Sequence, residues 1–186
     1  MTGALGGSVA GSASVLNNLT VTVNFGEAGP ANTNNIIKLT VPIAVRSTQP
    51  YRVTAVYTGT TVLSLQAIQD TDVGFGLRNI RSMGANARVC TLSNHLIANP
   101  FNNDPATSRT IAANGRAAYP STMNNIAFTT PIISGPRLSN TATAARQANN
   151  GYIFDVVFAL TPQYYAPGLS TAVITFTIEA GPNVPC

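Results

Sequence analysis

The sequence predicts an all-β protein: an immunoglobulin-like or jelly-roll β-sandwich with Greek-key connections and long loops. Stretches of alternating apolar and polar residues recur along the chain, as expected for strands with one buried face. Most of them are bounded by Gly, Pro, Asn or Thr-Gly, which are typical of turns. No convincing long helical pattern is present, and 186 residues suffice for one such domain with a sizeable core.

The first segment, residues 1–16, is rich in Gly and small residues but is also patterned. Its apolar and glycine residues of one parity are Leu5, Gly7, Val9, Gly11, Ala13 and Val15. Taken alone, this pattern fits a weak strand or a flexible tail. We therefore treat residues 1–16 as an N-terminal extension and residues 17–186 as the sandwich domain.

The next segments have the β-branched and aromatic content of strands. They span residues 18–25, 36–47, 51–59, 61–68 and 72–80. Pro42 lies inside the second of them. Because proline cannot donate a ladder hydrogen bond, it predicts a bulge, an edge or a break there.

Residues 93–151 are punctuated by Pro and Asn-Asn and have only short apolar runs, such as residues 126–133. We expect long loops with two or three short strands, an insertion into the sandwich rather than a separate domain. Residues 141–150 have the composition of a short helix.

The last two strands have different patterns. Residues 151–162 are apolar on both faces, which predicts a central, buried strand. Residues 167–182 alternate strictly, with Ile174, Phe176 and Ile178 on one face.

Composition excludes some partners and leaves others open. Charged residues make up only 9% of the chain, and the net charge of +4 comes from scattered arginines. Nucleic-acid binders concentrate such charges on one stripe, so we expect no nucleic-acid partner. A surface of amides and hydroxyls repels copies of itself weakly, which suits self-packing, but it is also ordinary for a secreted protein.

Cys90 and Cys186 are the two cysteines. Their number and the position of the second suggest a disulfide that fastens the C-terminus, although two unrelated buried thiols are the alternative. A disulfide predicts an extracellular location. No signal peptide or membrane-spanning segment is recognisable, so for an exported protein either Met1 is not native or the signal was removed before this numbering begins.

Candidate chemistry is sparse, and we predict neither an enzyme nor a cofactor or metal site. His95 is the single histidine, and no nucleophile motif surrounds any serine. Asp70 and Asp72 form the one close acidic pair, which fits a weak calcium site or a solvated turn.

Gly74 and Gly76 lack the spacing of a nucleotide loop and instead suggest a bend or a close backbone approach. The tyrosines offer a sugar-stacking surface or purely structural side chains. They include Tyr119, Tyr152, Tyr164 and Tyr165.

The segment YYAPGLSTAVITFTIEA resembles the ending of secreted fimbrial β-sandwich subunits, namely chaperone–usher pilins and spore-coat-U-like proteins. The segments YRVTAVYTG and GFGLRNI loosely resemble their middle strands. In such subunits the sandwich lacks one strand, and the N-terminal extension of the next subunit fills the groove. The chain departs from pilins in its cysteine positions and in continuing past the last strand.

The resemblance implies a self-assembling subunit of an extracellular filament or pilus, with copies of itself as partners and a periplasmic chaperone or other filament subunits as further candidates. The donor residues would be Leu5, Val9, Gly11, Ala13 and Val15. The acceptor groove would be lined by edge strands near Ile174, Phe176 and Ile178. The alternatives are a carbohydrate-binding or adhesin domain and a viral or particle shell protein.

Overall fold

The computed structural model describes residues 8–13, 18–27, 36–58, 68–83, 94–138, 151–161 and 169–185. The strands in these ranges are β1 (Ser8–Ala13), β2 (Asn18–Glu27), β3 (Ile37–Val45), β4 (Tyr51–Thr58), β5 (Val73–Met83), β6 (Leu96–Ile97), β7 (Thr110–Ile111), β8 (Ala117–Ala118), β9 (Thr130–Gly135), β10 (Gly151–Leu160) and β11 (Leu169–Ala180). The helix α1 spans Pro105–Ser108, and 3₁₀ turns span Asp70–Asp72 and Met123–Ile126. The all-β class is confirmed.

Two antiparallel sheets face each other across one core. The six-stranded sheet has the order β1-β2-β11-β4-β9-β6, and the three-stranded sheet has the order β3-β10-β5. Phe25 of β2 packs edge-on against Phe158 of β10, with ring centroids 6.5 Å apart. Tyr51 of β4 stacks on Tyr152 of β10 at 6.4 Å. These inter-sheet contacts define a β-sandwich.

The strand order identifies the sandwich as a jelly roll. β2 pairs with β11, β3 with β10, and β4 with β9, so strands distant in sequence form a nested antiparallel ribbon. The ribbon wraps into two sheets because β11 also pairs with β4, and β10 with β5. An immunoglobulin-like sandwich orders its strands ABED in one sheet and CFG in the other. Here the orders β2-β11-β4-β9 and β3-β10-β5 place the late strands between the early ones in both sheets, and the jelly roll is the architecture observed.

The alternation read from the sequence corresponds to the two faces of the strands. In β2, Val21, Val23 and Phe25 are buried, while Thr22 and Asn24 between them are partly exposed. β10 lies between β3 and β5 and is buried on both faces, so its expected central position is confirmed. β3 is an edge strand, in agreement with the constraint placed on it by Pro42.

A segment of the 93–151 region, residues 101–122, covers the outer face of the three-stranded sheet. Gly76 of β5 makes this possible, because a Cβ built there would stand 2.2 Å from the carbonyl oxygen of Asn103. Asp104 anchors the segment: its side chain accepts a hydrogen bond from the backbone N–H of Ala106 and pairs with Lys38 of β3 at 2.6 Å. The close backbone approach predicted from the glycines is confirmed.

Candidate assembly edge

β1 forms one end of the six-stranded sheet, and β2 is its partner within the described residues. The antiparallel register aligns Ser8 with Asn24 and Ala13 with Leu19. β2 in turn pairs with β11 along its other edge. The N-terminal segment therefore adds a strand to a sheet of its own chain.

Three of the five expected donor residues lie in β1. By register, Val9 is opposite Val23, Gly11 is opposite Val21, and Ala13 is opposite Leu19. Directly opposed residues share one face of a sheet, and these β2 residues belong to or pack against the core. The three register positions thus have the core-facing parity that strand donation requires. Leu5 and Val15 lie outside the described residues.

The expected acceptor strand requires a correction. Ile174, Phe176 and Ile178 lie on β11, which is an interior strand between β2 and β4 and not an edge strand. Ile174 and Phe176 are buried in the core, and Ile178 packs against it. Their alternation reports which face of the strand is buried, but it carries no information about which strands lie on either side. The edge that β1 occupies belongs to β2.

The other outer edges of the two sheets carry features that hinder pairing with another chain. β6 has only two residues. β3 carries Lys38 and Pro42. β5 carries Arg78 and is bonded by the covering segment, which accepts hydrogen bonds from its backbone N–H groups at Phe75 and Leu77. Short length, charges, proline and a covering loop are the usual protections of exposed edges.

The β1–β2 edge lacks these protections. Residues 8–13 and 18–26 contain no Lys, Arg, Asp, Glu or Pro. Both strands are longer than β6, with six residues in β1 and ten in β2. An uncharged, regular edge of this kind is a template for strand pairing between chains.

His95 lies in a buried aromatic cluster. Its Nε2 is 2.9 Å from the hydroxyl oxygen of Tyr51, and its ring meets that of Tyr152 edge-on at 4.5 Å. Gly135 makes room for it, since a Cβ there would stand 2.6 Å from Cδ2 of His95. Burial, with Tyr152 nearby, raises the pKa of Tyr51. The cluster joins β4, β9 and β10 to the start of β6, which is a structural role.

Asp70 and Asp72 have separate partners. Asp70 accepts a hydrogen bond from the hydroxyl of Tyr57 at 2.7 Å. Burial and this hydrogen bond raise the pKa of Tyr57 to about 12. Asp72 is buried and forms an ion pair with Arg116 at 3.0 Å. It also accepts a hydrogen bond from the backbone N–H of Gln69. The described residues contain no group of three or more acidic, His or Cys side chains placed to hold a metal ion.

Two of the tyrosines considered for sugar stacking are used internally. Tyr152 is fully buried, and its hydroxyl donates to the carbonyl oxygens of Arg137 and Leu138. Tyr119 donates to Thr161 Oγ1 at 2.9 Å, and burial raises its pKa. These two side chains are therefore structural. Tyr164 and Tyr165 lie outside the described residues.

One polar cluster on the three-stranded sheet had no signal in the sequence. A β-bulge in β5, between the aligned pairs Ile153–Arg81 and Asp155–Arg78, contains Asn79 in the left-handed region at φ 55°. Asp155 accepts hydrogen bonds from Asn79 at 3.0 Å and from Arg81 at 2.9 Å. Burial opposes ionisation of Asp155, but these hydrogen bonds and the charge of Arg81 outweigh it and hold its pKa below the ordinary value.

Cys90 and Cys186 lie outside the described residues, so the structure does not report on the expected disulfide. Neighbouring residues are close, however. The side-chain amide of Asn94 donates a hydrogen bond to the carbonyl oxygen of Pro185 at 2.8 Å. The chain segments leading to the two cysteines therefore meet beside β6.

Comparison of the chain with family models, curated proteins and solved structures gave no match. Within the described ranges, no helix has the length and apolarity to cross a membrane. The functional argument therefore rests on the sandwich itself and on its one unprotected edge.

Proposed function

We propose that this protein is a structural subunit of an extracellular filament or pilus that assembles by donating β1 to the next copy. β1 would leave its own β2 and pair with β2 of a neighbouring subunit in the same register. The supporting observation is the contrast between edges. The paired part of the β1–β2 edge, residues 8–13 and 19–24, is free of charge and proline, whereas β3, β5 and β6 are charged, covered or short.

The exchange is energetically feasible because the β1–β2 residue pairs that are broken within one chain are formed again between two chains. The aligned residue pairs of the β1–β2 ladder are the same within one chain and between two chains. The free energies of pairing therefore nearly cancel, and the concentration of subunits and the connection at residues 14–17 decide the balance. Exchanging an identical element is a low-cost route to assembly, and a head-to-tail exchange that does not close extends into a filament.

The proposal also identifies which strand would form the acceptor groove for β1 of another copy. When β1 leaves, β2 becomes the edge of the sheet and exposes its ladder beside the core residues Val21 and Val23. An unpaired edge of this kind aggregates unless it is held, which gives a periplasmic chaperone a binding surface before assembly. The acceptor is then β2 rather than β11.

A secreted location and a Cys90–Cys186 disulfide belong to the same proposal. The hydrogen bond between Asn94 and Pro185 brings the segments next to these cysteines together, which favours their pairing. Such a bond would close a loop of nearly a hundred residues and contribute about 4–5 kcal/mol in the chain-entropy model. It would keep the last residues beside β6 in an oxidising environment.

Two prolines in β1 test the proposal. Successive backbone N–H groups of a strand point to opposite sides, so Ala10→Pro with Gly11→Pro must remove a donor facing β2. We expect filaments of the unaltered protein by electron microscopy and none of this variant. The matched control, Thr2→Pro with Gly3→Pro, lies before β1 and should form filaments. Filaments of equal number and length from both variants would contradict strand donation.

A closed shell is the second candidate, and the strand order favours it. Jelly rolls form the shells of many viral particles, although the same fold also serves lectins and cupins. The shell alternative uses the same exchange of β1 with a geometry that closes. Electron microscopy separates the two, because filaments have open ends and shells have a fixed diameter.

A further inference from the structure

The outer face of the six-stranded sheet is nearly free of charge over its β2, β11 and β4 strands. We call the outward-facing residues of these strands the threonine face: Thr20, Thr22, Asn24, Thr54, Val56, Thr58, Thr171, Val173, Thr175 and Thr177. All alternate with core residues along their strands. Apart from Thr54, which is buried, each is partly or fully exposed.

Strand register arranges these side chains in rows across the sheet. One row joins Thr22, Val173 and Thr58, and the next joins Thr20, Thr175 and Val56. A single ion pair, Arg52 with Glu179 at 2.8 Å, closes the face at one end. β1 continues the rows at the other side, where Ala10 is aligned with Thr22 and Ser12 with Thr20.

We infer that the threonine face binds the threonine face of a second copy, around a two-fold axis close to Thr175. This inference rests on the proposed self-assembly and adds a lateral contact between copies to the exchange of β1. Two twisted sheets pack about 10 Å apart with their strands some 30° from parallel, and their side chains interdigitate. Small β-branched residues in regular rows suit that packing.

The size of the face is sufficient for such a contact. With three positions of β1 and the row of Arg52 and Glu179, the face has fifteen positions of about 4.8 by 6.8 Å, or roughly 490 Å². Two such faces together bury roughly 1,000 Å², which lies at the lower limit of specific protein interfaces. The contact is therefore expected to be specific but of moderate strength.

The charge pattern favours a second copy over an unrelated protein. An antiparallel arrangement about the two-fold axis puts the Arg52–Glu179 pair of one copy, which has no net charge, against the end of the other near Asn24, Thr171 and Glu27. The face also lacks the Trp, Tyr and Arg anchors that dominate recognition of other proteins. It is continuous with the β1–β2 edge, so both contacts can form in one assembly.

Charge placed at the centre of the face tests the inference. In Thr175→Lys, two lysines meet across the axis, and we expect the dimer dissociation constant from sedimentation equilibrium to rise at least tenfold. Thr22→Lys, one strand away, should weaken the dimer in the same direction. Thr40→Lys places the same substitution on the outer face of the three-stranded sheet and should leave the dimer unchanged. Circular dichroism melts establish that all three variants are folded.

A charge-pair mixture makes the test specific. Equal amounts of Thr175→Lys and Thr175→Glu should restore dimers that neither variant forms alone. Dimers of Thr175→Lys as stable as those of the unaltered protein, or no recovery in the mixture, would overturn the two-fold contact. Strand exchange is measured separately, because a disulfide between cysteines introduced at Ala10 of one chain and Thr22 of another should still form when Thr175 is replaced by Lys. Absence of that disulfide when Thr175 is retained would instead contradict the proposed function.

Discussion

Ala10 of β1 lies directly opposite Thr22 of β2, in a ladder whose two strands are separated by only four residues, 14–17. The length of this connection decides whether β1 can return to its own β2. Deleting residues 14–17 should leave a single residue between the paired positions Ala13 and Leu19, fewer than the two of the shortest common hairpin loop, while pairing with another copy needs no turn. We expect light scattering to show a shift from monomer to oligomer.

Lengthening the same connection is the matched control. Four Gly and Ser residues inserted after Val15 relieve the turn and should favour the monomer at equal protein concentration. A deletion variant that remains monomeric and folded would contradict exchange of β1.

Gly76 is predicted to be intolerant of any side chain. A Cβ at this position would stand 2.2 Å from the backbone oxygen of Asn103, which cannot rotate away. Gly76→Ala should therefore lower the free energy of unfolding by about 1–3 kcal/mol, measured in urea. Ala44→Ser adds one atom at an exposed position of the same sheet and should change stability by less than about 0.5 kcal/mol. Equal stability of the two variants would show that the covering segment is not packed as described.

The hydroxyl of Tyr51 is predicted to stabilise the fold through His95. Tyr51→Phe removes a buried hydrogen bond of 2.9 Å and should cost about 1–2 kcal/mol in thermal or urea unfolding. Tyr57→Phe removes a partly exposed hydrogen bond to Asp70 and should cost less, because water replaces the lost partner. A larger loss in Tyr57→Phe would contradict the assignment of His95 to the core.

Asp155 is predicted to contribute to stability against acid. Its folded-state pKa is held below the unfolded value of about 3.9, so its contribution is present above that pH and is lost as the pH falls through the folded pKa. Arg81 is 45% exposed, so the effect is screened and should stay below about 1 kcal/mol. Asp155→Asn should flatten the pH dependence of the melting temperature below pH 4. An unchanged slope would contradict the assigned pairing.

The sequence predicted where the strands lie in the chain better than it predicted which strands are adjacent in a sheet. The alternation in residues 18–25 and the two-sided burial of residues 151–162 correspond closely to β2 and β10, because both depend on local periodicity. The prediction that β11 lies at a sheet edge was wrong, since the pattern around Ile174 is the same for an interior strand and for an edge strand. Pairing partners depend on contacts far apart in the chain.

The candidate site was partly predictable for the same reason. The parity of Val9, Gly11 and Ala13 could be read locally and indicated a strand with one inward face. The proposed acceptor strand, β2, could not be predicted, because only the strand order shows which strand pairs with β1. The bulge at Asn79 that orders Asp155 had no sequence signal, because its partner lies 76 residues away.

The most direct test of strand donation mixes two variants, Ala10→Cys and Thr22→Cys, each also carrying Cys90→Ser and Cys186→Ser so that every chain has one cysteine. Opposed residues on paired strands have Cα atoms about 4.5–5.5 Å apart, within the range of a disulfide. Each chain carries only one of the two new cysteines, so the pair can join only when β1 of one copy lies on β2 of another. Donation predicts covalent dimers after mild oxidation of the mixture and none from either variant alone. A mixture that stays monomeric under conditions where the protein assembles would contradict it.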